Sequence, residues 1–325
     1  MTFRSLLLLF LCLALLPFIV QSQLTADYYQ KSCPKFSDIV KETATKKQQL
    51  SPTSAAAALR LFFNDCLVNG CDASILVTSN FYNVAERDAD INLSLPGDGF
   101  DVVTRAKNAL ELECPGVVSC ADILAATARD LIVIVGGPYY EVLFGRKDGT
   151  ISTKENTDKE FPLPRMPLSQ IISIFSAKGF SVQEMVALTG AHTIGLSHCK
   201  EFSDRLFNFS KTSDYDPAYN SEFAKGLRKL CANYTKDPSM SAFNDVITPG
   251  KFDNMYYKNL QRKMGLLASD SALVADKRTK PIVDMYAANQ TLFFNDFAHA
   301  MQKLSVLNVK TGNEGEVRNR CDSFN

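Results

Sequence analysis

The stretch Ala57-Ala58-Leu59-Arg60-Leu61-Phe62-Phe63-Asn64-Asp65-Cys66-Leu67 decides how the fold is read. It lies in a run over 54–66 whose Ala, Leu and Phe residues recur at helical spacing. Leu50-Ser51-Pro52-Thr53 opens that run, with proline placed early, where a helix tolerates it. Arg60 and Asn64 stand four apart, and Phe63 three from Arg60, so one helical face presents a cation, a ring and an amide together. On most helices such polar residues simply meet solvent. Beyond them, Asp65, Asp72 and Ser74 with the intervening turn carbonyls gather hard oxygen ligands that a Cys66–Cys71 loop would close on one another. Such a set suits calcium, although Asp and Ser are also ordinary turn residues.

Helical patterns continue outward. One helix is expected over 98–113, ended by Cys114-Pro115-Gly116. A second, over 119–135, is apolar nearly all round and so expected to be buried. Ser181-Val182-Gln183-Glu184 has the form of a capping box for a third. Others are expected over 168–177, 253–263, 280–289 and 292–307, while alternating strand patterns are scarce. The fold is therefore expected to be all-α (mainly helical). The polar, aperiodic segment 145–167 reads as a long connection between two lobes, about 23–150 and about 165–325.

The 35 basic and 35 acidic side chains cancel without long like-charge runs, which argues against nucleic acid or an anionic membrane as partner. Arg4 precedes an uncharged apolar run over 6–20 and a polar Gln21-Ser22-Gln23, the order of a secretory signal over 1–22. Its removal takes Cys12 and leaves Cys33, Cys66, Cys71, Cys114, Cys120, Cys199, Cys231 and Cys321. An even number on an oxidising export route reads as four disulfides, with the connectivity left open by spacing alone. Zinc is disfavoured, because no Cys-x-x-Cys occurs. Asn92, Asn208, Asn233 and Asn289 begin glycosylation sequons.

Residues 57–67 resemble the distal signature of plant secretory haem peroxidases, where this helix carries Arg-x-x-Phe-His-Asp-Cys. Gly190-Ala191-His192-Thr193-Ile194-Gly195 is similar to the family's proximal signature, and the resemblance extends from Gln23 to Cys321 with all eight cysteines. It implies two lobes clasping a haem b, two calcium ions, and the pairs Cys33–Cys114, Cys66–Cys71, Cys120–Cys321 and Cys199–Cys231. Arg60 and Phe63 fall on the distal arginine and aromatic, and Asn92 on the hydrogen-bond partner of the distal base, a buried role that would leave its sequon silent. Asp65, Asp72, Ser74 and the carbonyls of Val68 and Gly70 fall on the distal calcium ligands, with Glu86 acting through water. Thr193, Asp245, Thr248 and Asp253 fall on the proximal ones, and Lys251 would give only a carbonyl. His192, one of three histidines with His198 and His299, falls on the iron ligand; a lone histidine is otherwise more often structural. Asp270 falls on the carboxylate that orients it, and Pro162 on the aromatic-donor contact at the haem edge. The implied protein is a secreted monomer of the cell wall or apoplast that oxidises phenolic-type, small aromatic donors with hydrogen peroxide; cell-wall polymers are a further candidate partner.

Position 64 departs from the pattern, with Asn where the family keeps its distal His. An imidazole with a pKa of about 6.5 can take a proton from peroxide and return it, whereas a carboxamide cannot. General acid–base catalysis is worth roughly 10²–10⁴-fold, so impaired peroxide activation is expected. The alternative is a catalytically silent secreted haem protein that acts by binding in the wall. Asp98, Leu67, Ile91 and the lack of tryptophan are lesser departures, and Arg165 and Met166 leave donor preference open.

Overall fold

Apolar residues at helical spacing become helices along most of the chain. The computed structural model describes residues 24–325, so the expected signal over 1–22 and its Cys12 lie outside the described residues. Among the described residues, thirteen α-helices accompany one two-stranded sheet. The first four are α1 (Phe36–Leu50), α2 (Ser54–Val68), α3 (Gly97–Glu113) and α4 (Cys120–Ile134). Then follow α5 (Lys154–Glu160), α6 (Leu168–Ala177), α7 (Val182–Thr189), α8 (Ser203–Leu206) and α9 (Ser221–Leu230). The chain ends with α10 (Met255–Gln261), α11 (Ala268–Ala275), α12 (Lys280–Ala288) and α13 (Gln290–Ser305). Strand β1 (Leu196–His198) pairs antiparallel with β2 (Ser241–Phe243), with Leu196 opposite Phe243.

Local chemistry sets several boundaries. Ser119 caps α4 by accepting from the Asp122 N–H, and nearly every α4 residue is buried, as its all-round apolar sequence requires. The capping box before α7 forms: Ser181 Oγ accepts from the Glu184 N–H, and Glu184 accepts from the Ser181 N–H at 2.7 Å. The expected helix over 280–289 stops at Ala288, because the Asn289 side chain accepts from the Leu292 N–H and starts α13 instead. The helix expected over 253–263 contracts to α10, whose first residue, Met255, donates its N–H to Asp253 at 2.8 Å.

The segment 145–167 is not one loop. It contains α5, whose seven polar residues are too few to show a period. The helix is anchored at both ends: Lys154 donates its N–H to Val84 O at 2.9 Å, and Glu160 pairs with Lys178 at 2.7 Å. Helices α1, α8, α9 and α11 are also additions to the sequence reading, α9 despite Phe223, Ala224, Leu227 and Leu230 recurring at helical spacing.

Packing follows from the apolar faces. α2 packs against α3 and α4, α7 against α13, and α10 against α12. One hydrophobic cluster runs from Phe36 and Phe62 through Leu131 and Phe175 to Tyr257, Phe293 and Phe297. A smaller one gathers Phe202, Leu206, Tyr219 and Leu227. No single helix among the described residues is long and apolar enough to cross a membrane.

Four disulfides join Cys33 to Cys114, Cys66 to Cys71, Cys120 to Cys321 and Cys199 to Cys231. The third works with buried polar groups at the start of α4. There Asp148 accepts from the Cys120, Ala121 and Arg318 N–H groups at 3.1, 2.8 and 2.9 Å. Arg146 donates to Asp122 at 2.8 Å, both side chains fully buried. Cys120–Cys321 closes a separation of 201 residues, so its loss should release much unfolded-chain entropy. A Cys120→Ala, Cys321→Ala protein is expected to lose about 2–5 kcal/mol in urea unfolding; an unchanged midpoint and slope would refute that role.

Candidate active site

α2 and the turn Gly190–Thr193 face each other across a cavity of about 540 Å³. Arg60, Phe63 and Asn64 line one side of it, and Leu188, Ala191 and His192 the other. The approach of that turn needs glycine at 190, where a Cβ would collide with the Tyr257 hydroxyl and the Phe293 ring.

His192 keeps 33% of its side chain exposed, and its Nδ1 lies 2.8 Å from Asp270 Oδ1. Asp270 is fully buried on α11 and also accepts from the Tyr256 hydroxyl at 2.8 Å and the Leu267 N–H at 2.9 Å. Burial pushes this carboxyl up, but the charge and hydrogen bond of His192, helped by Leu267 and Tyr256, outweigh it and hold it below its usual value. In the neutral form of the imidazole, an ionised acceptor at Nδ1 takes the ring N–H and leaves the lone pair on Nε2.

The opposite wall is uncharged except for Arg60. Asn64, 1% exposed, donates from Nδ2 to Asn92 Oδ1 at 2.7 Å. Asn92, also buried, donates in turn from Nδ2 to the Glu86 carbonyl at 2.7 Å. Asn64 Oδ1 is buried without a partner. Arg60 fans onto the 91–94 turn, donating to Ser94 O at 3.1 Å and to Ile91 O and Ser94 Oγ at 2.9 Å. Burial draws its pKa down, yet a guanidinium stays charged. Phe63 meets Phe161 edge to face at 5.8 Å and stacks on Phe175 at 6.1 Å. Pro162 stands on the cavity wall beside Phe161 and Leu163. Arg165 turns instead to Lys200 O at 2.6 Å.

Asp65, in the last turn of α2, and Asp72, Ser74 and Glu86 beyond it are all buried. Asp65 accepts from the Ala73 and Ile75 N–H groups at 2.9 and 3.3 Å, and Glu86 from Ser74 Oγ at 3.0 Å and Asn69 Nδ2 at 2.9 Å. Burial, then the charges of Asp72 and Glu86, push Asp65 well above its usual value; burial and Asp72 push Glu86 up to about 8. Gly70 takes φ 117°, and a Cβ there would strike Asn308. Two lysines arrive from afar: Lys310 pairs with Asp72, and Lys178 donates to the Val68 carbonyl at 3.3 Å.

A second oxygen-rich group lies beside His192. Thr248 Oγ1 stands 3.2 Å from both Asp245 Oδ2 and Asp253 Oδ1, and the Asp253 N–H reaches Thr193 Oγ1 at 3.4 Å. Lys251 Nζ lies 3.6 Å from Asp253. Among the described residues, no three His, Cys, Asp or Glu side chains stand together as a preformed metal centre.

The structure thus brings Arg60, Phe63, Asn64, Pro162 and His192 to one cavity and sets Asn92 and Asp270 directly behind it. Ser94 and His198 also line the cavity, and the sequence reading gave neither a role. His198 Nδ1 is buried without a partner, and its place six residues after His192 was the only available signal.

The peroxidase family model matches residues 40–289. Peroxidase 63 of Arabidopsis thaliana is 58% identical over 323 residues, 99% of this chain and 97% of the relative. Peroxidase 31 of the same plant is 56% identical over 322 residues, 99% of each chain. Peroxidase 65 is 57% identical over 317 residues, 97% of this chain and 94% of the relative.

Asp270→Asn tests the charged pair. A carboxyl depressed in the folded state stabilises above the unfolded pKa and loses that contribution as pH falls through the folded one. The variant is expected to be about 1.5–3 kcal/mol less stable at pH 6, with the gap closing below about pH 4. A deficit that stays constant down to pH 2.5 would contradict an ionised Asp270.

Proposed function

This chain belongs to the peroxidase family, whose haem-dependent members act on hydrogen peroxide and donor substrates, and we propose that it oxidises phenolic-type donors with a peroxide step slowed by Asn64. The observation that carries this reading is the cavity itself, with an oriented imidazole on one wall and a cation, a ring and an amide on the other. The residues fit haem. The Asp270-fixed tautomer offers Nε2 as an axial ligand, and Phe63, Phe161, Ile171 and Phe175 give the cavity apolar walls. Haem, when bound, supplies the electrons that reduce peroxide.

The protein's own groups divide the remaining work. His192 would hold the iron, with Asp270 raising its basicity. Arg60 supplies positive charge where the peroxide O–O bond polarises. Asn64 offers no group that can take the peroxide proton. Aromatic donors would dock on the wall formed by Pro162. Ser94 and Ile91 engage the Arg60 guanidinium, and a cation so occupied favours the second reading, a catalytically silent haem protein.

Calcium is proposed at both oxygen-rich groups. Asp65, Asp72, Ser74 and the carbonyls of Val68 and Gly70 would hold one ion, with Glu86 through water. Thr193, Asp245, Thr248 and Asp253 would hold the other. A secreted monomer with a distal lobe of about 23–150 and a proximal lobe of about 165–325 completes the proposal; four disulfides favour the export route. Asn208, Asn233 and Asn289 are exposed candidates for glycans, whereas buried Asn92 is not.

Stopped-flow mixing with hydrogen peroxide tests the assignment of Asn64. Asn64→His is expected to speed that step by roughly 10²–10⁴-fold with little change in donor oxidation. A revertant that stays slow would favour the silent protein. For calcium, metal analysis should find about two ions per chain, and chelation should lower the melting temperature. A melting temperature unchanged after verified metal removal would contradict both sites.

A further inference from the structure

Asp65, Asp72 and Glu86 are buried together where α2 ends, and a lysine from the C-terminal segment reaches one of them. Among the described residues, Lys310 is the only cation within ion-pair distance of any of the three. Main-chain contacts put it there. Cys71 donates its N–H to Leu307 O at 3.1 Å, Lys147 to Lys310 O at 2.8 Å, and Gly149 to Asp72 O at 2.8 Å. The Asp72 side chain is 2% exposed and that of Lys310 31%, so the pair is screened far less than one on the surface. Asp72 Oδ1 accepts from the Ser74 N–H at 3.1 Å, while Oδ2 meets the ammonium. Three ionised carboxylates less one ammonium leave two negative charges, which one divalent cation neutralises. Burial and mutual repulsion push Asp65 and Glu86 up, as expected of a cluster still short of positive charge.

We infer that Lys310 sets the charge of this group: it takes up one of the three negative charges, so that the group accepts a single divalent cation and holds it more loosely than three carboxylates alone would. Lys310 is not itself a ligand, because an ammonium has no lone pair to give. It acts through Asp72, whose carboxylate it shares with the ion. The inference rests on the calcium reading above. Without the ammonium the same oxygens would bind calcium more tightly and a trivalent ion more tightly still, since the repulsion scales with the charge of the ion.

Competition against a chelator, with the purified, haem-loaded protein, gives its affinities for calcium and for terbium. In Lys310→Gln one calcium affinity should rise roughly 10–10³-fold, the worth of a single nearby charge, and the terbium affinity at that site should rise by more. Lys310→Arg, which keeps the charge, should stay near the native value. Calcium binding unchanged or weakened in Lys310→Gln, a terbium gain no larger than the calcium gain, a gain shared by Lys310→Arg, or equal gains at two sites would overturn the inference alone. So would a Lys310→Gln protein that fails to fold in calcium, because the bound ion should hold the carboxylates together without the ammonium. A native protein that binds no calcium would overturn the calcium reading and the inference with it.

Discussion

His192 meets the buried Asp270 carboxylate at 2.8 Å, and much of the surrounding structure serves to keep that pair in place. Asp270 belongs to the short helix α11, whose first turn is set by the loop before it. Arg205 organises that loop, donating to the carbonyls of Gly265, Leu266 and Leu267 at 3.0, 2.9 and 2.8 Å while paired with Asp216 at 2.8 Å. Leu267 can then donate its N–H to Asp270. Tyr256 adds its hydroxyl and sets its ring edge-on to the imidazole at 5.8 Å. A buried carboxylate is expensive unless its oxygens are satisfied, and here three donors satisfy them. The outcome is an imidazole with one nitrogen committed to Asp270 and the other outside that pair.

The two walls of the cavity are built on opposite electrostatic terms. Behind His192 stands a carboxylate; behind Asn64 stands one amide, Asn92, which ends on a backbone carbonyl. The first wall can hold a Lewis acid. The second can orient a hydroxyl but has nowhere to put its proton, because the only ionisable group α2 contributes to the cavity wall is Arg60. Under the proposed function, peroxide chemistry in this chain would be limited by proton management and not by haem ligation.

Much of this was legible in the sequence where signals are local. The period of 54–66, the capping box at Ser181 and the apolar run of α4 each follow from short-range rules, and the structure has a helix at each. The two signatures marked Arg60, Asn64 and His192 before any coordinates. Distant contacts were not legible. Lys310 and Asp72 are 238 residues apart, and nothing near either announces the other. The turn of Arg60 onto Ser94 depends on how 91–94 folds. Helix α5 escaped because seven polar residues show no period, and α11 because it is short and its Ser269, Asp270 and Ser271 are weak helix formers. The chain of hydrogen bonds from Asn64 through Asn92 to the Glu86 carbonyl depends on how 86–92 folds, so the sequence could name the missing base but not where those bonds end.

The most direct test of the central claim is the pH dependence of the native protein's reaction with hydrogen peroxide, followed by stopped flow. With no group able to hold a proton near neutrality on the α2 side, the second-order rate constant should be low and flat from pH 5 to 8. A clear ionisation in that range, with a fast limiting rate, would show that another residue has taken over the proton and that Asn64 does not limit the enzyme.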